Sequence, residues 1–367
     1  MYKFDKRIVI TLDAGGTNLV FGAMQSNEFI IDPITLPSNA ADLDLCLATM
    51  VKGFQMVIDK LDQKPVAISF AFPGPADYPN GIIGGYLPNF PSFRNGVALG
   101  PFLEEKFGIP VFINNDGDLF AFGEALGGVL PEINAKLAAM GSSKVYTNLL
   151  GYTFGTGFGM GMVIDNHLNR GNNSAAETFC LRHKNHHEVY VEEGVAIRAV
   201  KRVYADRSGD HESKLEPKDI CEIADGTRPG NQEAAIAAFE EFGEVAGDAI
   251  ATAVTLTDSL VVLGGGLVGA RKYFMPALMK QLKGVLHSIT GEEIPRMPEK
   301  AFDLDNEEEF VKFANGAARP IKVYGSDRTV IYDPQKSTGV AISKLGASKA
   351  ISIGAYSFAL SMLDNQE

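Results

Sequence analysis

The sequence predicts an α/β fold in which mixed sheets are flanked by helices, and three stretches carry that prediction. Residues 8–22 read as two β-prone runs folded back on each other across a glycine-rich turn. Residues 41–61 place Leu47, Val51, Phe54, Ile58 and Leu61 at helical spacing, with Asp42 as the N-cap. Residues 65–72 form a continuous apolar run that reads as a buried strand, stopped by Pro73, Gly74 and Pro75. Hairpin, helix and strand in that order make a mixed sheet covered by helices. A chain of 367 residues is too long for one typical compact domain, so two are expected.

Composition narrows the class. An apolar fraction of 46% and a charged fraction of 21% are those of an ordinary globular protein. The net charge of −12 argues against nucleic acid, because phosphate backbones select basic surfaces. No apolar stretch is long enough to cross a bilayer, so no membrane partner is expected. The first seven residues lack the apolar core of a signal peptide, and Cys46, Cys180 and Cys221 are too few and scattered for a disulfide framework. A cytoplasmic location follows as the expectation. The Asn172-Asn173-Ser174 acceptor pattern is read as chance.

The chemistry is concentrated in glycine turns and one acid. Asp13 ends the first apolar run, and Gly15, Gly16 and Thr17 form the turn before Asn18 begins the second. Backbone N–H groups in such a turn suit phosphate oxygens, and an acid at the strand end suits Mg²⁺ held through water. Taken alone, the stretch is equally a tight hairpin without a ligand. The segment from 74 to 95 is long for a connection, and Asn89 and Arg94 sit in it among apolar anchors, which favours a functional loop. After the strand at 110–114, Asn115 and Asp116 open a helical pattern, where N–H groups and the helix dipole stabilise a carboxylate. An ordinary helix cap is the plain alternative there. A calcium loop through Asp116, Asp118 and Glu124 fails, because Phe120 takes a ligand position and the loop glycine is missing. Gly155, Thr156 and Gly157 form a second turn between two β-prone runs, and Gly264, Gly265 and Gly266 follow the apolar strand at 260–263. The spacing fits neither a dinucleotide fingerprint nor a Walker loop.

In this order, Asp13-Ala14-Gly15-Gly16-Thr17, Asn115-Asp116, the 155–159 turn and the 264–266 glycines, the chain resembles the ROK sugar kinases of the actin/hexokinase-like ATPase superfamily. The resemblance runs from about residue 7 to 275 and resumes near 340–360. It implies a two-lobed, ribonuclease H-like fold and ATP-dependent phosphorylation of a hexose or N-acetylhexosamine hydroxyl, with ATP and Mg²⁺ as cofactors and a homodimer as a possible assembly. It assigns Asp13, Gly15, Gly16, Thr17, Asn18, Gly155, Thr156 and Gly157 to the ATP phosphates and their metal, and Gly264, Gly265 and Gly266 to the adenosine. Asp116 matches the family's catalytic base. Gly74, Asn89, Asn115, Glu177 and Glu188 match residues that hold the sugar.

Three departures accompany the resemblance. Cys180 stands where the family has a histidine, and the family's cysteine-rich zinc loop is absent. Cys180, His183, His186 and His187 cluster at spacings a metal can use, but adjacent His186 and His187 normally point apart, so a polar loop is preferred and no metal ligand is assigned. Residues 284–338 read as an insertion comprising an acidic loop and a hairpin around 325–327. The expected division is a small lobe of residues 1–117 with the C-terminal helix 347–367, and a large lobe of 118–346. A catalytically weak sugar or nucleotide sensor is the alternative, and an acid kinase is a more distant one. A repressor of the same family is disfavoured, because the first turn arrives too early to leave room for a DNA-binding segment.

Overall fold

The structure is a computed structural model that describes residues 2–365. The chain begins with β1 (Val9–Ala14), β2 (Asn18–Gln25), β3 (Glu28–Phe29), β4 (Ile34–Pro37), α1 (Leu43–Ile58) and β5 (Ala67–Ala71). Short strands β6 (Ala76–Asp77), β7 (Ile82–Ile83) and β8 (Val97–Ala98) precede α2 (Leu99–Phe107), β9 (Val111–Asn114), α3 (Asp116–Gly127) and α4 (Val129–Ala139). Next come β10 (Leu149–Phe154), β11 (Phe158–Ile164), β12 (His167–Leu168), β13 (Arg182–His183), β14 (His186–Tyr190), α5 (Ile197–Ser208), α6 (Pro217–Ala224) and α7 (Gln232–Thr257). The remainder is β15 (Leu260–Gly264), α8 (Arg271–Leu282), β16 (Val285–His287), β17 (Glu293–Pro295), β18 (Lys300–Asp303), α9 (Glu307–Asn315), β19 (Arg319–Lys322), β20 (Thr329–Tyr332), β21 (Ser337–Ile342) and α10 (Ala347–Asp364). Two compact units result. One runs to Pro131 and takes in Gly161–Ala176 and the chain from Ser343 onward; the other comprises Glu132–Met160 and Glu177–Ile342.

In the first unit the sheet order is β3-β2-β1-β5-β9, with β4 also on β2. The antiparallel β1–β2 hairpin sits beside the parallel strands β5 and β9. Asp13 pairs in register with Ala71, and Ala71 with Asn114, so the carboxyl ends of three parallel strands finish in one row. That edge of an open α/β sheet is where ligands collect. Helix α1 is capped by Asp42, which accepts from the Leu45 N–H at 3.0 Å, and its Phe54 packs edge-on against Phe21 of β2. Helix α10 crosses α3 through glycine: a Cβ on Gly354 would lie 2.7 Å from the Leu119 carbonyl carbon.

The second unit carries the parallel strands β10, β15, β21 and β18, hydrogen-bonded in that order. The long helix α7 buries Phe239, Phe242, Ala246, Ile250 and Val254 on one face. The acidic stretch at 303–309 is not a loop. It closes β18 and starts α9, where Asn306 caps the Glu309 N–H at 3.1 Å and Glu307, Glu308 and Glu309 occupy the first turn. Negative charge there complements the helix dipole, which is why an acidic run can be helical. Strands β19 and β20 form the hairpin expected around 325–327. Among the described residues no helix is long and apolar enough to cross a membrane.

Candidate active site

The first glycine turn is rigid because its neighbours occupy its polar groups. Gly15 donates its N–H to the Asn18 carbonyl at 3.0 Å, and the Thr17 carbonyl accepts from the Ser38 N–H at 2.9 Å. The Ser38 hydroxyl donates to the Gly16 carbonyl. Gly16 has no room for a side chain, since a Cβ would stand 3.0 Å from the Cβ of Asn89. The segment after β5 is thereby brought onto the turn, and Asn89 with it. Aromatic packing fixes that segment: Phe72 lies 4.6 Å from Phe90 and 5.2 Å from Phe93 between ring centroids. Gly74 is equally confined, because a Cβ would come within 2.8 Å of the Tyr78 hydroxyl, which donates to the Phe72 carbonyl at 2.9 Å. Asp13 is exposed beside this turn.

Asp116 begins α3 at the same edge of the sheet, but it is not the cap. Asn115 takes that role: its Oδ1 accepts the Gly117 N–H at 2.7 Å, while its Nδ2 reaches the Tyr78 hydroxyl at 3.5 Å. The Asp116 carboxylate accepts the same Gly117 N–H at 2.9 Å. A helix start by itself favours the ionised acid, and here that expectation is reversed. Burial raises the Asp116 pKa above its ordinary value and the charge of Asp13 adds to the rise, while the N–H groups of Gly117 and Asp116 oppose it. The side chain stays reachable by solvent, so it is crowded by protein on most sides and open on one. A reachable acid with raised proton affinity is a candidate general base.

In the second unit the other turn is held by side chains that sequence reasoning missed. Glu192 accepts the Phe158 N–H at 2.9 Å, and its other oxygen pairs with Arg198 at 2.9 Å. Arg198 also donates to the Thr156 carbonyl at 3.1 Å, and the Ile197 N–H donates to the Gly155 carbonyl at 2.9 Å. Gly157 faces Glu192, whereas Gly155 and Gly266 have nothing within 4 Å of where a Cβ would stand. Gly265, at φ +91°, packs against Phe154, so the glycines after β15 lie directly beside the second turn. A five-residue 3₁₀ turn, Gly266–Ala270, separates them from α8. Glu177 is half-buried near the Tyr152 hydroxyl, and burial holds that phenol's pKa high. Glu188 lies exposed on β14, four residues before the acid that meets the turn. The only sign in the sequence was the Glu192-Glu193-Gly194 run, whose register nothing nearby fixes. Among the described residues no cluster of three or more His, Cys, Asp or Glu is placed to hold a metal; Cys180 is exposed, and the buried His183 Nε2 packs against Gly194.

A family model described as ROK family matches residues 9–303. The chain belongs to the ROK family. This ROK chain is 59% identical to the glucokinase of Parabacteroides distasonis, with 98% of this chain and 99% of that one covered and a TM-score of 0.91. It is 26% identical over 307 residues to the N-acetylgalactosamine kinase AgaK of a Shewanella species, covering 78% of this chain and 89% of that protein. It is also 31% identical over 140 residues to the xylose repressor of Bacillus spizizenii, of whose length it spans 31%. The fold is the actin/hexokinase-like α/β fold of ROK sugar kinases.

Proposed function

We propose that this ROK protein transfers the γ-phosphoryl group of ATP to a hydroxyl of a hexose or N-acetylhexosamine, a glucokinase-like reaction. It is a phosphotransferase with an alcohol acceptor. The observation that carries the reading is Asp116: an accessible acid of raised proton affinity, at the strand-end edge that also presents Asp13 and the first glycine turn. Phosphoryl transfer asks a protein mainly for positioning and charge neutralisation. Asp116 takes the proton of the attacking hydroxyl as the transfer proceeds. Gly15, Gly16, Thr17 and Asn18, with Gly155, Thr156 and Gly157, are assigned to the phosphates, and Gly264, Gly265 and Gly266 to the adenosine. The open ground over Gly155 and Gly266 fits that assignment. Mg²⁺ carried on a nucleotide needs only one or two carboxylates, and the exposed Asp13 would supply one, the ion then neutralising phosphate charge. Gly74, Asn89, Asn115, Glu177 and Glu188 are assigned to the sugar, whose hydroxyls suit amide and carboxylate partners.

A sensor that binds sugar without turnover is favoured by one observation, the exposed Cys180 in place of the family's histidine. Mixing the protein with Mg-ATP and a panel of hexoses and N-acetylhexosamines, and following ADP, separates the readings. Sugar-dependent ADP release is the expected result. Tight sugar binding without release supports the sensor, and release with carboxylic acids alone overturns the sugar assignment.

A further inference from the structure

Beneath Asp116 lies a set of buried polar side chains that the proposed reaction does not use. Asn114, the last residue of β9, is fully buried, and its Oδ1 accepts a hydrogen bond from Arg170 at 2.7 Å. Its Nδ2 has no partner among the described residues. Asp118, on the first turn of α3, is 8% exposed. The charged groups facing it are Arg170 and Asp116. Arg170 lies on the segment after β12, with its guanidinium 5.3 Å above the ring of Phe358 from α10. Gly161 of β11 lets this layer close up, because a Cβ there would come within 2.8 Å of the Asp118 Cα.

Part of this layer is costly to bury. Burial pushes the Asp118 carboxyl up to about 7 and pulls the Arg170 guanidinium down, and their mutual attraction offsets only part of each. An orphaned buried amide donor typically costs about 1–3 kcal/mol. Apolar residues of similar volume often do as well or better at such sites. The layer must therefore be kept for what it holds in place, and what stands on it is the Asn115-Asp116 corner.

We propose that Arg170 is a positioning residue for Asp116, holding Asn114 at the end of β9, two residues before the acid, by its hydrogen bond at 2.7 Å. This rests on the reading of Asp116 as the proton acceptor. By fixing the strand end from which the Asn115-Asp116 corner departs, Arg170 sets the direction in which the Asp116 carboxylate points. Asp118 acts as the counter-charge that keeps Arg170 in place, and its own charge changes within the working pH range.

The test uses the full-length protein with R170M, R170K and D118N, and with two readouts. In the kinase assay, R170M is expected to lower kcat at least tenfold while leaving the KM for ATP within twofold, and R170K restores only part, since an ammonium lacks the planar guanidinium that meets Asn114 and lies over Phe358. D118N removes the charge that faces Arg170, so its kcat is expected to fall in the same direction as that of R170M. The second readout needs no activity: carbon-13 NMR of aspartate-labelled protein, with the signals assigned from D116N and D118N. Without Arg170 the Asp118 carboxyl keeps its proton to higher pH than in the wild type. If R170M leaves kcat, acid limb and carboxyl titration unchanged, the positioning role is wrong. If the wild type phosphorylates nothing, the kinase reading fails, while the titration still decides whether Arg170 governs this corner. Should R170M not fold, R170K carries both readouts and D118N the kinetic one.

Discussion

Replacing Asp116 by Asn removes a negative charge and a proton acceptor while keeping shape. The Asn Oδ1 can still accept the Gly117 N–H now met at 2.9 Å, so the start of α3 stays as it is. Binding of ATP, which involves other groups, should change little. General-base catalysis contributes about 10²–10⁴-fold, which corresponds to about 2.7–5.4 kcal/mol of barrier. A kcat loss in that range, with the KM for ATP within threefold, is the expected result in a coupled ADP assay. The sign of the pH effect follows from the same geometry. The reaction needs Asp116 ionised, so activity falls as pH drops through its raised pKa. Asp13 contributes to that rise, so D13N should shift the acid limb of kcat/KM to lower pH, whatever it does to the height of the profile. A D116N enzyme with kcat within threefold of the wild type, or an acid limb that D13N does not move, would refute the assignment.

Three further outcomes follow from the structure. The folded Asp118 carboxyl sits at about 7 against an ordinary 3.8, so the folded state holds its proton where the unfolded chain has lost it. Stability is therefore lost as pH rises from about 4 to 7, by up to about 4 kcal/mol; D118N should raise the urea midpoint at pH 8 and leave it nearly unchanged at pH 4. Glu192 makes a charge-assisted hydrogen bond to the Phe158 N–H, an interaction worth about 1.5–3 kcal/mol. E192A should weaken binding of a non-hydrolysable ATP analogue by about tenfold or more in calorimetry, whereas E188A should raise only the sugar KM. Finally, G354A places a methyl 2.7 Å from the Leu119 carbonyl carbon, with backbone and no flexible side chain to yield. Overpacking of this kind costs about 1–3 kcal/mol or more, so its denaturation midpoint should fall clearly, and an unchanged midpoint would mean that α3 and α10 do not cross at these glycines.

What the sequence made legible depended on how local the physics was. The two turns could be read because glycine and a strand end specify a tight reversal within a few residues, and both reversals stand where they were expected. The acidic run at 303–309 misled because three glutamates suit a loop and a helix start equally, and only the Asn306 cap decides between them. Glu192 could not be picked out because its contact with the second turn joins residues 34 positions apart, which no local pattern signals. Asp116 shows the boundary most clearly. Its place at the head of a helix was legible, and a helix head alone predicts a readily ionised acid. Its pKa is instead raised because the folded chain crowds the carboxyl on most sides and β1 brings Asp13 near, while Arg170, 56 residues from Asn114, holds the strand beneath. Neighbouring residues thus name the acid, but its strength as a base is set by segments that meet only after folding. A single-residue motif in this family therefore carries chemistry only to the extent that the layer under it is intact, and substitutions at Asn114, Asp118 or Arg170 should weaken the reaction while leaving the motif itself untouched.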